Sequence, residues 1–336
     1  MHHKLIHTIN PAMAVEVKGL VKHFGENRAV DGIDLHIPTG TIYGVLGPNG
    51  AGKTTALRIL STLMQPDKGS AKIFGHDILR EGQIVRQLIG LTGQYASVDE
   101  KLSANENLYI FSRLLGFSRS DSRKKTKELL EEFGLTEAAT RPLSKFSGGM
   151  RRRLDLAASL ISKPPLIFLD EPTTGLDPRT RIQMWNTIRS LVSDGSTVIL
   201  TTQYLDEADQ LADRIAVIDR GKVIAQGTPS QLKASVGAAT LELKLIDKTE
   251  DEKAKQLIQS LLFVEAHISS EGVLTAPLSD PELITDVLLA LRNRNIQLSE
   301  VSVKTPSLDE VFLAITGHET EKNEEESLNL ISPFNN

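Results

Sequence analysis

The chain contains no cysteine, which excludes a disulfide framework, a thiolate metal site and a cysteine nucleophile, and fits a reducing compartment. Aromatic residues are scarce at 4% of 336 residues, with Trp185 the single tryptophan, so a pocket that stacks flat ligands between rings has little to draw on. Long apolar runs are missing too. No stretch approaches the ~18–20 consecutive apolar residues of a membrane-spanning helix, and the first segment, MHHKLIHTINPA, has no apolar signal-peptide core. There is no excess of basic charge: the formal net charge is -5, which lowers the expectation of a nucleic-acid partner. What is present, 40% hydrophobic and 24% charged residues, suffices for two compact domains. Residues 1–12 read as a loose leader, with His2, His3 and His7 unstructured rather than metal-bound.

From Val15 onward β-branched runs alternate with helical patterns. VEVKGL, GTIYGVLG, AKIFG, PPLIFLD, STVILTT and DRIAVID are strand candidates, and the alternation predicts an α/β domain with a mainly parallel central sheet. Helical spacing at Leu108, Phe111, Leu114 and Leu115, then at Leu129, Leu130 and Phe133, predicts a helical subdomain over about residues 95–150. Gly221 and Gly227 punctuate a hairpin-like passage, and the pattern changes near Ala234. There the order strand (TLELKLI), helix, strand (VEAHISS), strand (GVLTAPL), helix and strand (IQLSEVSVK) predicts an α+β, ferredoxin-like module. A closing helix begins at a capping-box pair, Ser307 and Glu310, and ends at Gly317. The expected domains are therefore 13–233 and 234–317, followed by a disordered tail over 318–336.

The segment GVLGPNGAGKTT carries G-x-x-x-x-G-K-[ST] between a strand and a helical run, the context that a phosphate-binding loop requires. Gly47, Pro48, Asn49, Gly50, Ala51 and Gly52 would fold backbone amides round an anion, Lys53 would neutralise β/γ-phosphate charge, and Thr54 would ligate Mg²⁺. Thr55 can add a phosphate contact. Downstream, LIFLDEP ends a buried strand in paired carboxylates at the edge where α/β sheets bind ligands. Asp170 is expected to hold Mg²⁺ through its water shell. Glu171 is placed to polarise an attacking water. The run FSGGMRRRLDLAASLI opens a helix with Ser147, Gly148 and Gly149, which turn a hydroxyl, bare amides and a positive dipole end toward an anion. Arg151, Arg152 and Arg153 read as a solvated face with intramolecular pairs.

The order of these motifs from about Val15 to Gln226 resembles the ATP-binding cassette (ABC) family. The fold it implies is a P-loop NTPase-type nucleotide-binding domain with an inserted helical subdomain. FSGGM resembles the family signature, with Phe146 and Met150 where many members have leucine and glutamine. The resemblance implies that Ser147, Gly148 and Gly149 of one subunit cover the γ-phosphate held by another, and hence a homodimer. It also implies that Gln94 in LTGQYASV is the Q-loop glutamine near Mg²⁺, that Asp177 in TGLDP belongs to the D-loop, and that Phe24 stacks on adenine. Gln203, in TVILTTQYLDEAD, stands where most members carry a switch histidine. Glutamine keeps an N–H donor for the γ-phosphate but does not titrate near neutral pH.

That run, together with FSGGMRRRLDLAASLI, resembles the daunorubicin-resistance type of drug-export ATPase. The resemblance implies ATP and Mg²⁺ as cofactors, a separate transmembrane permease as partner, a place on the cytoplasmic face of the membrane, efflux of a drug-like compound and no nucleic-acid partner. Two other readings stay open: a soluble cassette ATPase acting on nucleic acid or ribosomes, and a nucleotide-dependent protein that sequesters a drug. Against the first stands the single phosphate-loop motif; against the second, the sparse aromatic surface.

Overall fold

The computed structural model describes residues 12–92, 98–269, 271–280 and 282–317 and divides into two compact units, with the boundary between Pro229 and Ser230. In chain order the first unit contains β1 (Met13–Phe24), β2 (Asn27–Pro38), β3 (Ile42–Leu46), α1 (Lys53–Leu60), β4 (Lys68–Ile73), β5 (His76–Asp77), α2 (Gly82–Leu88) and β6 (Ile89–Thr92). It continues with α3 (Ala104–Leu114), α4 (Arg119–Glu132), α5 (Gly148–Ser159), β7 (Leu166–Asp170), α6 (Pro178–Ser193), β8 (Thr197–Thr202), α7 (Leu205–Leu211), β9 (Arg214–Asp219) and β10 (Lys222–Gly227). After α8 (Pro229–Ala234) come β11 (Ala239–Leu245), α9 (Asp251–Leu262), β12 (His267–Ile268), β13 (Val273–Leu278), α10 (Leu283–Asn293), β14 (Leu298–Lys304) and α11 (Leu308–Thr316).

The central sheet has six strands in the order β10-β9-β3-β8-β7-β6, parallel except where β10 returns antiparallel to β9. Every residue of β3, β7 and β8 is buried, which is why these segments read as unbroken apolar runs: both faces of a parallel sheet are covered. Strand alternation divides them between two cores. Tyr43, Val45, Phe168 and Ile199 pack with α1, whereas Ile42, Ile167, Leu169, Val198 and Leu200 pack with α3, α4 and α5.

VEVKGL and AKIFG do not join this sheet as expected. They form β1 and β4 of a separate four-stranded antiparallel sheet, order β2-β1-β4-β5. The pattern explains the difference: buried Ile33, Leu35 and Ile37 in β2 alternate with Asp34 and His36, as in a sheet covered on one face. In α3, Leu108 is buried but Leu114 is 76% exposed, so the apolar spacing does not mark one buried face. Leu129, Leu130 and Phe133 at the end of α4 are buried.

The second unit has the order β-α-β-β-α-β in a wholly antiparallel four-stranded sheet, β12-β13-β11-β14, which is the ferredoxin-like arrangement. Leu241, Leu243, Leu274 and Ala276 supply one sheet face, and Ala254, Leu257, Ile258, Val287 and Leu291 the helices against it. The strand expected over 264–270 shrinks to His267–Ile268. Both halves of the capping box form on α11: Glu310 N–H donates to Ser307 Oγ at 3.2 Å, and Ser307 N–H to Glu310 Oε2 at 3.3 Å. Leu308, Val311 and Phe312 on that helix are buried.

Candidate functional site

Adjacent strands β3, β8 and β7 run parallel, with Leu46 level with Thr202 and Asp170 level with Thr201. Their C-terminal ends therefore release Gly47, Gln203 and Glu171 side by side, at the sheet edge where ligands gather. The loop after β3 admits no side chain at its tightest points. A Cβ on Gly47 would stand 2.2 Å from the Ile218 carbonyl oxygen, and one on Gly52, at φ +108°, would stand 2.1 Å from that of Ala29.

Lys53, the first residue of α1, is 4% exposed. Its Nζ donates to the carbonyls of Gly47 at 2.7 Å and Pro48 at 3.0 Å and lies 3.8 Å from Glu171 Oε1. Burial pushes its pKa down, while Glu171 and Asp170 pull it back. Thr54 Oγ1 donates to Asp170 Oδ1 at 3.1 Å, and Thr201 Oγ1 donates to the same oxygen at 2.6 Å. The hydroxyl and the buried carboxylate expected to share a metal are thus already adjacent.

Glu171 has a left-handed backbone, φ 48°, a conformation that costs a non-glycine residue about 1–3 kcal/mol and persists where the surroundings over-determine it. They do so here. Glu171 N–H donates to Thr201 O at 3.1 Å and Thr201 Oγ1 at 3.0 Å. Arg152, on α5, donates through Nη2 to the carbonyls of Asp170 at 2.6 Å and Glu171 at 3.1 Å, and through Nε to that of Pro172 at 3.1 Å. Thr174 Oγ1 adds a bond to Glu171 Oε2 at 3.3 Å.

The run Arg151–Arg153, expected as a solvated face with intramolecular pairs, does make such pairs, and Arg152 departs from a solvated face by holding the backbone carbonyls of the residues that carry the paired carboxylates. Arg151 pairs with Glu100 at 2.7 Å, and Arg153 Nη1 donates to Phe133 O at 3.0 Å. Sequence reasoning also passed over Thr201, which orients both Asp170 and Glu171, and Glu207, a fully buried carboxyl on α7. The i, i+4 spacing of Glu207 and Leu211 was the available signal for its inward position.

The remaining expected residues lie as follows. Phe24 ends β1 and is 49% exposed, so it is not a strand-end core residue. It pairs with Asn27 at the turn into β2, the strand whose Ala29 abuts Gly52. Ser147 caps α5, accepting from Met150 N–H at 3.3 Å. A Cβ on Gly149 would come within 2.6 Å of Thr180 Cγ2, so the heads of α5 and α6 are in close contact. Asp177 caps α6, accepting from Thr180 N–H at 3.0 Å and Thr180 Oγ1 at 2.6 Å, bonds that hold its pKa below the usual carboxylate value. Gln203 follows β8 and is half-buried. Gln94 lies outside the described residues.

The family model described as "ABC transporter" matches residues 30–174, and the model "ATP-binding protein DrrA1-3-like, C-terminal domain" matches residues 227–316. The daunorubicin/doxorubicin resistance ATP-binding protein DrrA of Streptomyces peucetius is 52% identical over 92% of this chain and 94% of its own length. The chain belongs to the DrrA-like ATP-binding subunits of ABC transporters. The doxorubicin resistance ATP-binding protein DrrA of Mycobacterium tuberculosis is 43% identical over 93% of this chain and 96% of its own length. Among solved structures, the dimeric post-hydrolysis form of the cassette MJ0796 bound to ADP and Pi matches with TM-score 0.59 and 28% identity, over 64% of this chain and 98% of that one.

Membership in this ABC group fixes the activity. The chain is the ATP-binding, ATP-hydrolysing subunit of an ABC exporter and acts with a transmembrane permease. Among the described residues no helix is long and apolar enough to cross a membrane.

Proposed function

We propose that this subunit forms a homodimer with ATP sandwiched at the seam, and that closure and hydrolysis drive a permease to expel a hydrophobic, drug-like compound. The observation that carries the catalytic part is the junction of Lys53, Thr54, Asp170 and Glu171 at one sheet edge. Lys53 exchanges its loop carbonyls for phosphate oxygens when ATP enters, and backbone N–H groups between Asn49 and Thr55 line the phosphate chain. Glu171, held on its strained backbone beside Lys53, takes the proton of the attacking water. Gln203 donates an N–H to the γ-phosphate. Phe24 offers its exposed ring to the adenine.

The residues fit a magnesium ion: Thr54 and Asp170 present a hydroxyl and a buried carboxylate 3.1 Å apart. Thr54, Asp170 and Gln94 would hold it, and it would supply charge neutralisation at the β- and γ-phosphates.

Across the seam, Ser147, Gly148 and Gly149 of one copy face the nucleotide of the other, and Asp177 lies along the seam. The MJ0796 cassette, described as dimeric, supports this arrangement. The substrate class rests on relatives named for daunorubicin and doxorubicin resistance. The subunit sits at the cytoplasmic face of the membrane through its permease, without nucleic acid. An affinity-tagged Glu171→Gln variant, solubilised from its host with ATP present, is expected to bring down a multi-spanning membrane protein in comparable amount. Recovery of ribosomes, DNA or nothing instead would overturn the transport reading.

A further inference from the structure

The loop leaving Glu171 is anchored a second time, at a group with no part in the chemistry above. Thr173 is fully buried, and its hydroxyl donates to Glu207 Oε1 at 2.8 Å. The Trp185 indole N–H, on α6, donates to the same oxygen at 3.3 Å. Glu207 belongs to α7, the helix that starts directly after Gln203–Tyr204, and is fully buried. One carboxyl oxygen therefore gathers three segments: the loop after Glu171, the helix capped by Asp177 and the helix behind Gln203.

This is an expensive residue to bury. Burial holds its pKa above the usual glutamate value, a push that Asp206 reinforces and that the Thr202 and Thr173 hydroxyls and the Trp185 indole oppose. Its second oxygen, Oε2, has no partner of strict hydrogen-bond geometry among the described residues, although the Thr202 hydroxyl and the Arg152 guanidinium both act on the carboxyl. An aliphatic side chain would fill the same space without that cost. What the carboxyl adds is direction: a fixed acceptor for the Thr173 hydroxyl, two residues beyond the strained Glu171.

We propose that Glu207 is a positioning residue for ATP hydrolysis, which through Thr173 locks the Glu171 loop and ties it to the helix behind Gln203. The attacking-water side and the γ-phosphate side of the site then keep one spacing through the catalytic cycle. Arg152 clamps the carbonyls of residues 170–172 from α5, and Glu207 clamps the next residue from α7. The inference rests on the roles given above to Glu171 and Gln203.

The test is steady-state ATP turnover and ATP binding by the full chain with its permease. Thr173→Val, which keeps shape and removes the donor, and Glu207→Leu are each expected to lower kcat about tenfold with the KM for ATP within about twofold. The double variant is expected to be no worse than either single one, because both break the same bond. Glu207→Gln keeps an acceptor oxygen and is expected to restore most of the turnover. Trp185→Phe removes the other bond to that oxygen, away from Glu171, and is expected to lower the melting temperature while leaving kcat within about twofold. Should Glu207→Leu not fold, Thr173→Val alone decides. Undiminished kcat in Thr173→Val, or an equal loss in Trp185→Phe, overturns the proposal and leaves the cluster a packing element. Wild-type turnover in Glu171→Gln would instead sink the parent reading of the site.

Discussion

Among the described residues, the first unit encloses whole charged side chains and the second does not. Every buried polar or charged side chain among the described residues, Lys53, Asp155, Asp170 and Glu207 included, lies before Pro229, while the buried side chains between the sheet and helices α9 and α10 of the second unit are Leu, Ile, Val and Ala. Burying an ionisable group costs stability unless it is paired and hydrogen-bonded, so such groups concentrate where chemistry requires them. The ferredoxin-like unit buries the Asp251 Oδ1 atom but encloses no whole ionisable side chain among its described residues, and its core reads as a cohesive structure.

The largest effect that would sharpen this contrast is on catalysis. Glu171→Gln is expected to lower phosphate release by about 10²- to 10⁴-fold while nucleotide binding, followed by a fluorescent ATP analogue, persists. Leu243→Ala in the second core is expected to cost that unit about 2–5 kcal/mol in a urea titration and to leave ATP binding intact. Loss of ATP binding in that variant would break the separation of roles. Ser307→Ala, which removes the cap of α11, is expected to cost about 1 kcal/mol in the same titration.

The smallest effect is one of pH. Glu207 has a folded pKa above the ordinary value of 4.5, so the folded chain keeps a proton that the unfolded chain releases. Its contribution to stability is therefore full below about pH 4.5 and falls as pH rises toward the folded pKa. Glu207→Gln should melt above wild type at pH 8 and level with it near pH 4. A difference of equal size at both values would show that the gain comes from packing.

The phosphate loop, the strand ending in Asp170 and Glu171, and the order of the second unit were legible because each is a local pattern: glycines at fixed spacing, an apolar run closed by carboxylates, a change from one period to another. The antiparallel sheet was not. VEVKGL and AKIFG look like central strands until β2 is recognised between them, and the alternation of Ile33, Leu35 and Ile37 that reveals β2 is diluted by its polar start, NRAVDG. Arg152 and Glu207 escaped for a different reason. Their partners, the carbonyls of Asp170–Pro172 and the Thr173 hydroxyl, lie 18 to 34 positions away in the chain, and although the spacing of Glu207 and Leu211 marks an inward position on α7, no spacing rule names the partner met there.

The carbonyls of Ile218 and Ala29 stand where side chains at Gly47 and Gly52 would have to go, and both belong to the protein, not to a ligand. Those glycines are thus enforced by the chain's own backbone whether or not a nucleotide ever binds. A descendant that lost its ATPase activity would still inherit them, because the fold tolerates nothing larger at either codon. In such a lineage the first sign of lost function would be a change of the Glu171 side chain, because the bonds that hold its backbone run through its N–H and carbonyl and make no use of the carboxylate.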